Sequence, residues 1–343
     1  MAHTQLSYRR ERILKALVNE YIQSARPVGS GTLCREYGLR VSPATVRHEM
    51  VALEDMGYLV QPHTSAGRVP TDTGFRFYVN HLLSEGHLGA QEKQKVRSFY
   101  RAGNMNWDDI FRETSRALSQ MSRYVALILS PRFEKTALQS ISLRSLTHNR
   151  ILVVFEFNSG IVERRIIENE LNLRATELEG ISNYLTEIGA GRNLMEIRAE
   201  LIRQSQAAEK LCDHLVRKAL SLSEQIMDEA PQLYLYIEGQ ANILDQPEFS
   251  DMEKIKRLFQ ILEEKKAMIK LLDQTLASPG VKVIIGRENP LKPLQDYSLV
   301  ACAYGDRERA SGALGVIGPV RLDYGRVISL VKFTSGLISD IMC

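Results

Sequence analysis

Apolar residues recur at helical spacing in the first part of the chain and predict a series of short helices. The first spans Ser7 to Gln23 and places its apolar side chains on one stripe. The segment Arg26-Pro-Val-Gly29 interrupts the pattern, and Ser30 can cap a second helix that ends near Tyr37. Because only a tight turn separates this second helix from the next one, the pattern indicates a helix-turn-helix.

The third helix, Pro43 to Met56, is marked at both ends. Ser42 can accept an otherwise unpaired backbone N–H at its start, and Gly57 stands where a left-handed residue ends a helix. Its apolar side chains recur every three or four residues, at Val46, Met50 and Leu53. The opposite face presents small, hydroxyl and basic groups, which is typical of a recognition helix. An amphipathic surface helix is the alternative interpretation.

Two short extended runs after the third helix predict a β-hairpin. They are Tyr58–Pro62 and Val69-Pro70, and the turn His63-Thr-Ser-Ala-Gly-Arg68 between them contains a glycine that suits a positive φ. Thr71 can then cap a further helix that reaches Leu82. Helices followed by a hairpin in this order predict a winged helix, with an ordinary polar hairpin as the alternative.

From residue 108 the pattern changes to mixed helices and strands, which predicts an α+β, multidomain protein. The predicted helices are Asp108–Ser122, Ala175–Ile188 and Tyr324–Ile341. The predicted strands are Tyr124–Leu129, Leu138–Leu143, Ile151–Phe157, Ile161–Ile167, Val281–Ile285, Leu299–Tyr304 and Ala313–Ile317. A polar and Gly-rich stretch at 84–107 precedes this part and predicts a hinge.

The region 190–276 has a more helical character than its surroundings. Its predicted elements are the helices Leu194–Gln206 and Ala208–Asp228, the strand Gln232–Glu238 and one long helix Phe249–Leu276. In that long helix the apolar positions outnumber what one packed face needs, although Met268 falls one position out of register. Such a surplus indicates either a buried core or a dimer surface.

Composition and charge place the chain among soluble globular proteins. Of its 343 residues, 44% are hydrophobic and 25% are charged, and no apolar run is long enough to span a bilayer. The net charge of +3 lies entirely in residues 1–83, which carry ten Lys and Arg against seven Asp and Glu. This asymmetry favours a polyanionic partner at the N-terminal end. No secretory signal is visible, and the four scattered cysteines favour a reducing compartment.

The candidate DNA contacts lie on the third helix and the hairpin. They are Ser42, Ala44, Thr45, Arg47, His48, His63, Thr64, Ser65, Gly67 and Arg68. Arg47 is the best candidate for direct base reading, since a guanidinium can donate two hydrogen bonds to guanine. On the hairpin, His63 and Arg68 are predicted to contact the backbone or the minor groove.

No catalytic constellation, metal site or cofactor motif is predicted. The histidines and carboxylates lack metal-ligand spacing, and no serine stands in a nucleophile elbow. The Gly-rich segment Gly312-Ala-Leu-Gly-Val-Ile-Gly318 lacks the Lys-Ser/Thr of a phosphate-binding loop and is interpreted as a tight strand connection. Cys302 lies in an apolar strand and is expected to be inert core.

Several motifs together resemble the HrcA family of bacterial heat-inducible transcription repressors. In the N-terminal part these are Leu6-Ser-Tyr-Arg-Arg-Glu-Arg-Ile-Leu14, Ser42-Pro-Ala-Thr-Val-Arg-His-Glu-Met50, Leu53-Glu-Asp-Met-Gly57 and Pro62-His-Thr-Ser-Ala-Gly-Arg-Val-Pro-Thr71. In the C-terminal half they are Tyr236-Ile-Glu-Gly239, Ile284-Ile-Gly-Arg-Glu-Asn289 and Gly315-Val-Ile-Gly-Pro-Val-Arg-Leu-Asp-Tyr324. The chain departs from the family at His48, where Asn is usual, and more mildly at Val320 and Leu322.

The resemblance implies a division into domains. A winged-helix DNA-binding domain at 1–83 and a linker at 84–107 would precede a GAF-like domain, whose two parts at 108–189 and 277–343 would flank an inserted dimerisation domain at 190–276. The resemblance also implies the CIRCE inverted repeat upstream of chaperone operons as the operator. The chaperonin GroEL is implied as the partner that assists folding of the repressor.

The sequence therefore predicts a homodimeric repressor that binds double-stranded DNA and blocks transcription initiation of heat-shock genes. It is expected in the bacterial cytoplasm, associated with the nucleoid. A ligand-sensing regulator of the GAF type is one alternative, because GAF-like domains often hold ligands. The other is an enzyme with a nucleic-acid-binding module, against which the lack of paired acids and metal ligands argues.

Overall fold

The structure is a computed structural model that describes residues 6–84, 86–100, 106–131, 136–158, 160, 162–207, 218–219, 221–222, 234–247, 252–276, 280–306 and 310–342. Helices alternate with antiparallel sheets, which confirms the predicted α+β class. We refer below to the N-terminal unit (residues 6–84), the insert (136–222) and the body (106–131 together with 234–342).

The N-terminal unit has its elements in the predicted order. They are α1 (Tyr8–Ser24), α2 (Ser30–Glu36), α3 (Pro43–Asp55), β1 (Leu59–Val60), β2 (Val69–Pro70) and α4 (Asp72–Phe77), which continues as a π-helical turn over Tyr78–Leu82. Ser42 caps α3 as predicted, and Gly57 follows it with a φ of +80°. β1 and β2 pair antiparallel.

The rest of the chain begins with α5 (Ala90–Ser98), α6 (Trp107–Ser122) and β3 (Val125–Leu129). The elements of the insert are β4 (Leu138–Thr147), β5 (Arg150–Phe157), β6 (Val162–Glu168), α7 (Ala175–Gly189) and α8 (Leu194–Ala207). The chain then forms β7 (Leu235–Glu238), α9 (Met252–Glu263), α10 (Lys265–Leu276), β8 (Val281–Ile285), β9 (Tyr297–Asp306), β10 (Ala310–Pro319) and α11 (Tyr324–Met342).

The body is a sheet between two layers of helices. Its strands lie in the order β7-β3-β10-β9-β8, and each is antiparallel to its neighbour. Alternate residues of β3 enter different cores, because successive side chains of a strand point to opposite faces. Ala126 and Ile128 pack toward α6 and α11, whereas Val125, Leu127 and Leu129 pack toward α9 and α10.

The insert has a hydrophobic core of its own. Its sheet has the order β4-β5-β6, and α7 and α8 pack against one face. Hydroxyl groups of α7 accept hydrogen bonds from backbone N–H groups at the unpaired edge of β4. Ser182 accepts from the Leu143 N–H at 2.7 Å, and Thr186 accepts from the Ile141 N–H at 3.0 Å. One sheet edge is thus covered by a helix, a known protection of edge strands.

The insert lies between β3 and β7, which differs from the predicted position of the inserted domain at 190–276. The flanking residues Ser130 and Tyr234 are joined by a hydrogen bond from the Ser130 N–H to the Tyr234 carbonyl at 2.9 Å. The chain therefore leaves and re-enters the body at one point. β7, α9 and α10 belong to the body, since β7 pairs with β3 and both helices pack on the sheet.

The long helix predicted over 249–276 is two helices, α9 and α10, separated at Glu264. This break resets the helical phase and explains why Met268 fell outside the predicted stripe. The apolar residues of both helices, including Leu258 and Leu272, are buried against the sheet of the body. Burial within the chain therefore accounts for this surplus of apolar positions. The helix predicted at 208–228 lies mostly outside the described residues.

The Gly-rich segment at 312–318 is the interior of β10 and not a strand connection. Gly312 leaves room for a neighbouring aromatic ring, since a Cβ there would lie 2.4 Å from the Tyr304 side chain. Cys302 is buried in the adjacent strand, as predicted. The glycines of this segment thus serve close packing inside the sheet.

The predicted hinge at 84–107 contains α5, which packs on the body. Leu88 and Val96 are buried, and Glu92 forms an ion pair with Arg326 of α11 at 3.1 Å. A single hydrophobic core continues from α1 through α5 to α11. The described part of this segment therefore contributes to packing between the N-terminal unit and the body.

Candidate nucleic-acid interface

Helix α3 separates a buried face from an exposed one. Val46, Met50 and Leu53 are fully buried, which fixes the rotation of the helix about its axis. The exposed stripe consists of Ala44, Arg47, His48 and Val51. Arg47 forms no ion pair with any described residue, so its guanidinium is available to an external acceptor.

The hydroxyl groups of Ser42 and Thr45 are engaged with the start of α3. The Thr45 N–H donates to Ser42 Oγ at 3.1 Å, and the two hydroxyl oxygens lie 2.9 Å apart. Ser42 is exposed and Thr45 is half-buried. Their local role is to stabilise the first turn of α3. In that part of the helix, the side chains of Ala44 and Arg47 are exposed.

An ion pair between α1 and α3 holds the exposed helix in place. Arg10 Nε donates to Glu49 Oε2 at 2.9 Å, and Arg9 lies 3.6 Å from the same carboxylate. The hydrogen bond from Arg10 is the main cause of the lowered pKa of Glu49. Glu49 is therefore ionised at neutral pH, and its ion pair fastens α3 to α1 beside the buried stripe of α3.

The hairpin after α3 is shaped by two side chains. Glu54 Oε1 accepts from the Gln61 N–H at 3.0 Å, which joins the end of α3 to β1. The Gln61 amide then donates to the carbonyls of Thr64 at 3.1 Å and Ala66 at 2.9 Å. These two hydrogen bonds hold the backbone of the turn, while His63, Thr64 and Ser65 are exposed at its tip.

Arg68, which was predicted to contact DNA, lies in a buried ion pair in the structure. Arg68 is only 8% exposed, and its guanidinium donates to Glu54 Oε2 at 2.8 Å. Its backbone also pairs with Val28, with N–O distances of 2.9 Å in both directions. A guanidinium buried against a carboxylate on α3 fixes the hairpin, and this geometry does not present it to a phosphate.

Gly67 also has a different role from the predicted one. Its φ is not positive, but a Cβ at this position would lie 2.4 Å from the backbone of Val28. Only glycine permits the hairpin to approach the turn between α1 and α2 this closely. Gly67 is thus required for the shape of the interface, and its lack of a side chain is what matters.

Sequence analysis overlooked Arg40, which lies in the turn just before the cap of α3. Arg40 is exposed and forms no ion pair with any described residue. Arg26, in the turn after α1, is also exposed. Their place in tight turns of the helix-turn-helix could have identified them, because basic residues beside a recognition helix commonly contact phosphates.

Within the described residues, no three His, Cys, Asp or Glu side chains are grouped to hold a metal ion. No helix in the described part of the chain is long and apolar enough to cross a membrane.

Residues 108–328 match the family described as HrcA protein C terminal domain. A relative from Geobacter sulfurreducens, named heat-inducible transcription repressor HrcA, is 40% identical over 340 residues, which cover 99% of both chains. The chain belongs to the HrcA family. A second HrcA, from Syntrophobacter fumaroxidans, is 36% identical over 341 residues and spans 99% of this chain and 98% of its own length.

A solved structure described as a hypothetical protein has the same overall fold as this HrcA chain. The two superpose with a TM-score of 0.64 at 22% sequence identity, over 98% of this chain and 99% of the other. At this identity the likeness concerns the fold alone. It shows that the arrangement of N-terminal unit, body and insert occurs in a protein of distant sequence.

The motif that ends in Tyr324 gives this HrcA chain a direct contact with its N-terminal unit. Arg321 is buried and donates to the carbonyl of Ile22, at the end of α1, at 3.0 Å. The Tyr324 ring lies 5.9 Å from that of Phe75 in α4. Residues of the C-terminal motif therefore contact α1 and α4, and α1 is joined in turn to α3, which carries Arg47.

A second contact joins α4 to the start of the loop after β8. Arg76 forms an ion pair with Glu288 and donates to the Val283 carbonyl at 2.7 Å. The Arg287 N–H donates to Asp72 at 2.9 Å, beside Gly286, whose φ is +51°. The motif that contains Gly286 and Glu288 thus has a structural role at the same joint in HrcA.

Proposed function

We propose that the chain acts as a homodimer that binds a CIRCE-type inverted repeat through a winged helix and blocks transcription initiation. As a member of the HrcA family it is a negative regulator of heat-shock transcription. In this proposal the protein works by occupancy of DNA and not by catalysis. The body would be a GAF-like domain, as its antiparallel sheet between helix layers suggests, and GroEL would assist its folding.

The observation that carries the proposal is the exposed stripe on α3. It presents Arg47 and His48 beside the exposed tip of the hairpin at His63, Thr64 and Ser65. An α-helix fits the major groove of B-form DNA, and the adjacent hairpin would then reach the backbone or the minor groove. In this proposal Arg40, which is exposed just before α3, contacts a phosphate. Arg68 contributes indirectly, because it holds the hairpin against α3.

Replacing Arg47 by Ala is expected to weaken binding to the specific operator by about 1–3 kcal/mol, with a much smaller loss on random DNA. The reason is that Arg47 is the exposed, unpaired guanidinium on the reading stripe. Fluorescence anisotropy with a labelled inverted repeat and a scrambled duplex of equal length measures both affinities. Lys95→Ala, which removes another exposed positive charge, from α5, is the matched control.

Arg68→Met provides a second arm of the same experiment. It is expected to weaken binding to both duplexes, because the hairpin is displaced. The slope of log affinity against log salt should stay unchanged. A phosphate contact would instead reduce that slope by roughly 1. Unchanged specific affinity in Arg47→Ala would contradict the assignment of α3 as the reading helix.

For the dimer contact we propose the exposed face of the β4-β5-β6 sheet in the insert. Val162 and Ile166 on this face are 50% and 53% exposed, and Leu152 and Val154 are their half-buried neighbours on β5. Arg164 stands on the same face as Glu168. A patch with apolar groups and both signs of charge can pair with its own copy about a two-fold axis.

Ile166→Lys is expected to convert the dimer to a monomer in light scattering, because a two-fold contact places the added charge in the interface twice. The operator affinity should fall with it, since two linked half-sites raise the effective concentration of the second unit. Leu244→Lys is the control, because Leu244 is equally exposed but lies on the body. A dimer that persists in Ile166→Lys would place the interface elsewhere.

A further inference from the structure

A cavity of about 500 Å³ lies where the end of the N-terminal unit meets α5 and α11. We call it the linker cavity. Its volume is within the range of small-molecule sites, which bury most of a ligand's surface. The DNA-binding role described above uses none of the residues in its wall. These include Val79, Leu83, Leu88, Lys93, Lys332 and Phe333.

The apolar part of the wall comes from three separate segments. Val79 and Leu83 lie one turn apart at the end of the N-terminal unit, and Leu88 is buried just before α5. Ile328 and Phe333 of α11 are half-buried and form the remaining side. A ligand in this cavity can therefore pack an apolar body against several side chains at once.

Backbone contacts hold these segments together. The Ser329 hydroxyl of α11 donates to the Gly86 carbonyl at 2.5 Å. A Cβ at Gly86 would lie 2.3 Å from the Gly325 carbonyl oxygen, so only glycine permits this close approach. The segment before α5 is thus fixed on α11, and the cavity between them is formed before any ligand enters.

The charged groups of the wall are basic. Lys93 of α5 and Lys332 of α11 line the cavity, whereas no Asp or Glu does so among the described residues. The Lys93 ammonium lies 5.8 Å from the centroid of the Phe333 ring, and the Arg97 guanidinium lies 5.6 Å from the same centroid. Neither lysine forms an ion pair with a described residue. Positive charges gathered around one ring without a carboxylate favour an anionic ligand.

Glu92, which precedes Lys93, has partners of its own. Its Oε1 lies 3.1 Å from the Arg326 guanidinium, and its Oε2 accepts from the Gly89 N–H at 3.2 Å. Its side chain is not part of the wall. Glu92 therefore leaves the ammonium group of Lys93 available to a ligand.

We propose that the linker cavity binds a small organic carboxylate, with its anionic head beside Lys93 and Lys332 and its hydrocarbon body against the apolar wall. The basic groups disfavour an organic cation. The apolar wall favours a ligand with a hydrocarbon body over an inorganic anion. An occupied cavity would join the N-terminal unit to α11. The inference does not rest on the proposed repressor function.

Isothermal titration calorimetry of the full-length protein with octanoate at neutral pH is expected to show saturable binding. Octanol has the same chain length without the charge, and it should bind about tenfold more weakly because the hydrogen bonds to charged groups are lost. Butanoate keeps the carboxylate, but it should also bind at least about tenfold more weakly because it buries less apolar area. Equal binding of octanoate and either analogue, or no saturable binding of octanoate, would overturn the proposal.

Variants locate the binding to this cavity. Lys93→Met and Lys332→Met remove one exposed charge each and keep most of the side-chain length, so the fold is retained. Each is expected to weaken octanoate binding about threefold to fivefold and to leave octanol binding unchanged. Lys95→Met is the matched control, because Lys95 is exposed on the same helix but lies outside the cavity wall. Octanoate affinity that stayed unchanged in both Lys93→Met and Lys332→Met would refute the site.

Discussion

Replacing Phe75 by Ala is expected to lower the free energy of unfolding of the full chain by about 3–5 kcal/mol, the usual cost of removing a buried aromatic ring. Phe75 is 1% exposed and lies between two other rings, with centroids 6.2 Å from Tyr21 of α1 and 5.9 Å from Tyr324 of α11. The cavity left behind would therefore lie at the joint between the N-terminal unit and the body. Urea unfolding followed by circular dichroism measures the change.

The control for this experiment is Tyr8→Ala, since Tyr8 is an aromatic residue of the same unit that is 75% exposed. Its loss should change stability by less than about 0.5 kcal/mol. If Phe75→Ala were equally mild, the contact between α4 and α11 would be too loose to orient the reading helix. Operator binding at low temperature should also fall in Phe75→Ala, because the position of α3 depends on this joint.

The local features of α3 were predictable because each depends on near neighbours in sequence. Ser42 and Gly57 mark the ends of a helix whatever surrounds it, and the spacing of Val46, Met50 and Leu53 fixes its buried face. The outward position of Arg47 follows from that spacing. The element order of the N-terminal unit was predictable for the same reason.

The position of the insert was not predictable, because it depends on which strands pair. An amphipathic helix has the same pattern whether its apolar face covers a sheet or a second subunit. The buried stripe of α9 and α10 is therefore compatible with a dimer surface in sequence, whereas in the structure it packs on the sheet of the body. Periodicity identifies a buried face but not the surface that buries it.

Arg68 illustrates a related limit. A basic residue next to a small-residue turn has the composition of a DNA contact, but its partner Glu54 is 14 residues away on another element. Only the folding of the hairpin onto the end of α3 brings the two together. By contrast, Arg40 was overlooked although its neighbourhood is local, since it stands two residues before the cap of α3.

The full-length protein is expected to lose operator binding on heating and to regain it with added chaperonin and ATP, several-fold more than on cooling alone. The central pair of the body sheet explains this expectation. β3 pairs with β10, with Ile128 opposite Leu314, so distant parts of the chain must meet before the body core can close. Non-local pairing slows folding and exposes apolar surface to aggregation, and large multidomain chains commonly fail to refold unaided.

The insert allows a direct test of this explanation, because its two ends are neighbours in the folded protein. The Tyr234 N–H donates to Ser130 Oγ at 3.0 Å, so a short Gly-Ser link between these residues can replace the intervening chain without moving β3 or β7. The shortened protein should recover half-site binding after heating with little help from chaperonin, since β7 no longer has to find β3 across a long insert. Chaperonin without ATP serves as the control for simple adsorption. If the shortened and full-length proteins depended equally on chaperonin, or if the full-length protein kept its operator affinity throughout heating, the discontinuous sheet would not be the source of heat sensitivity.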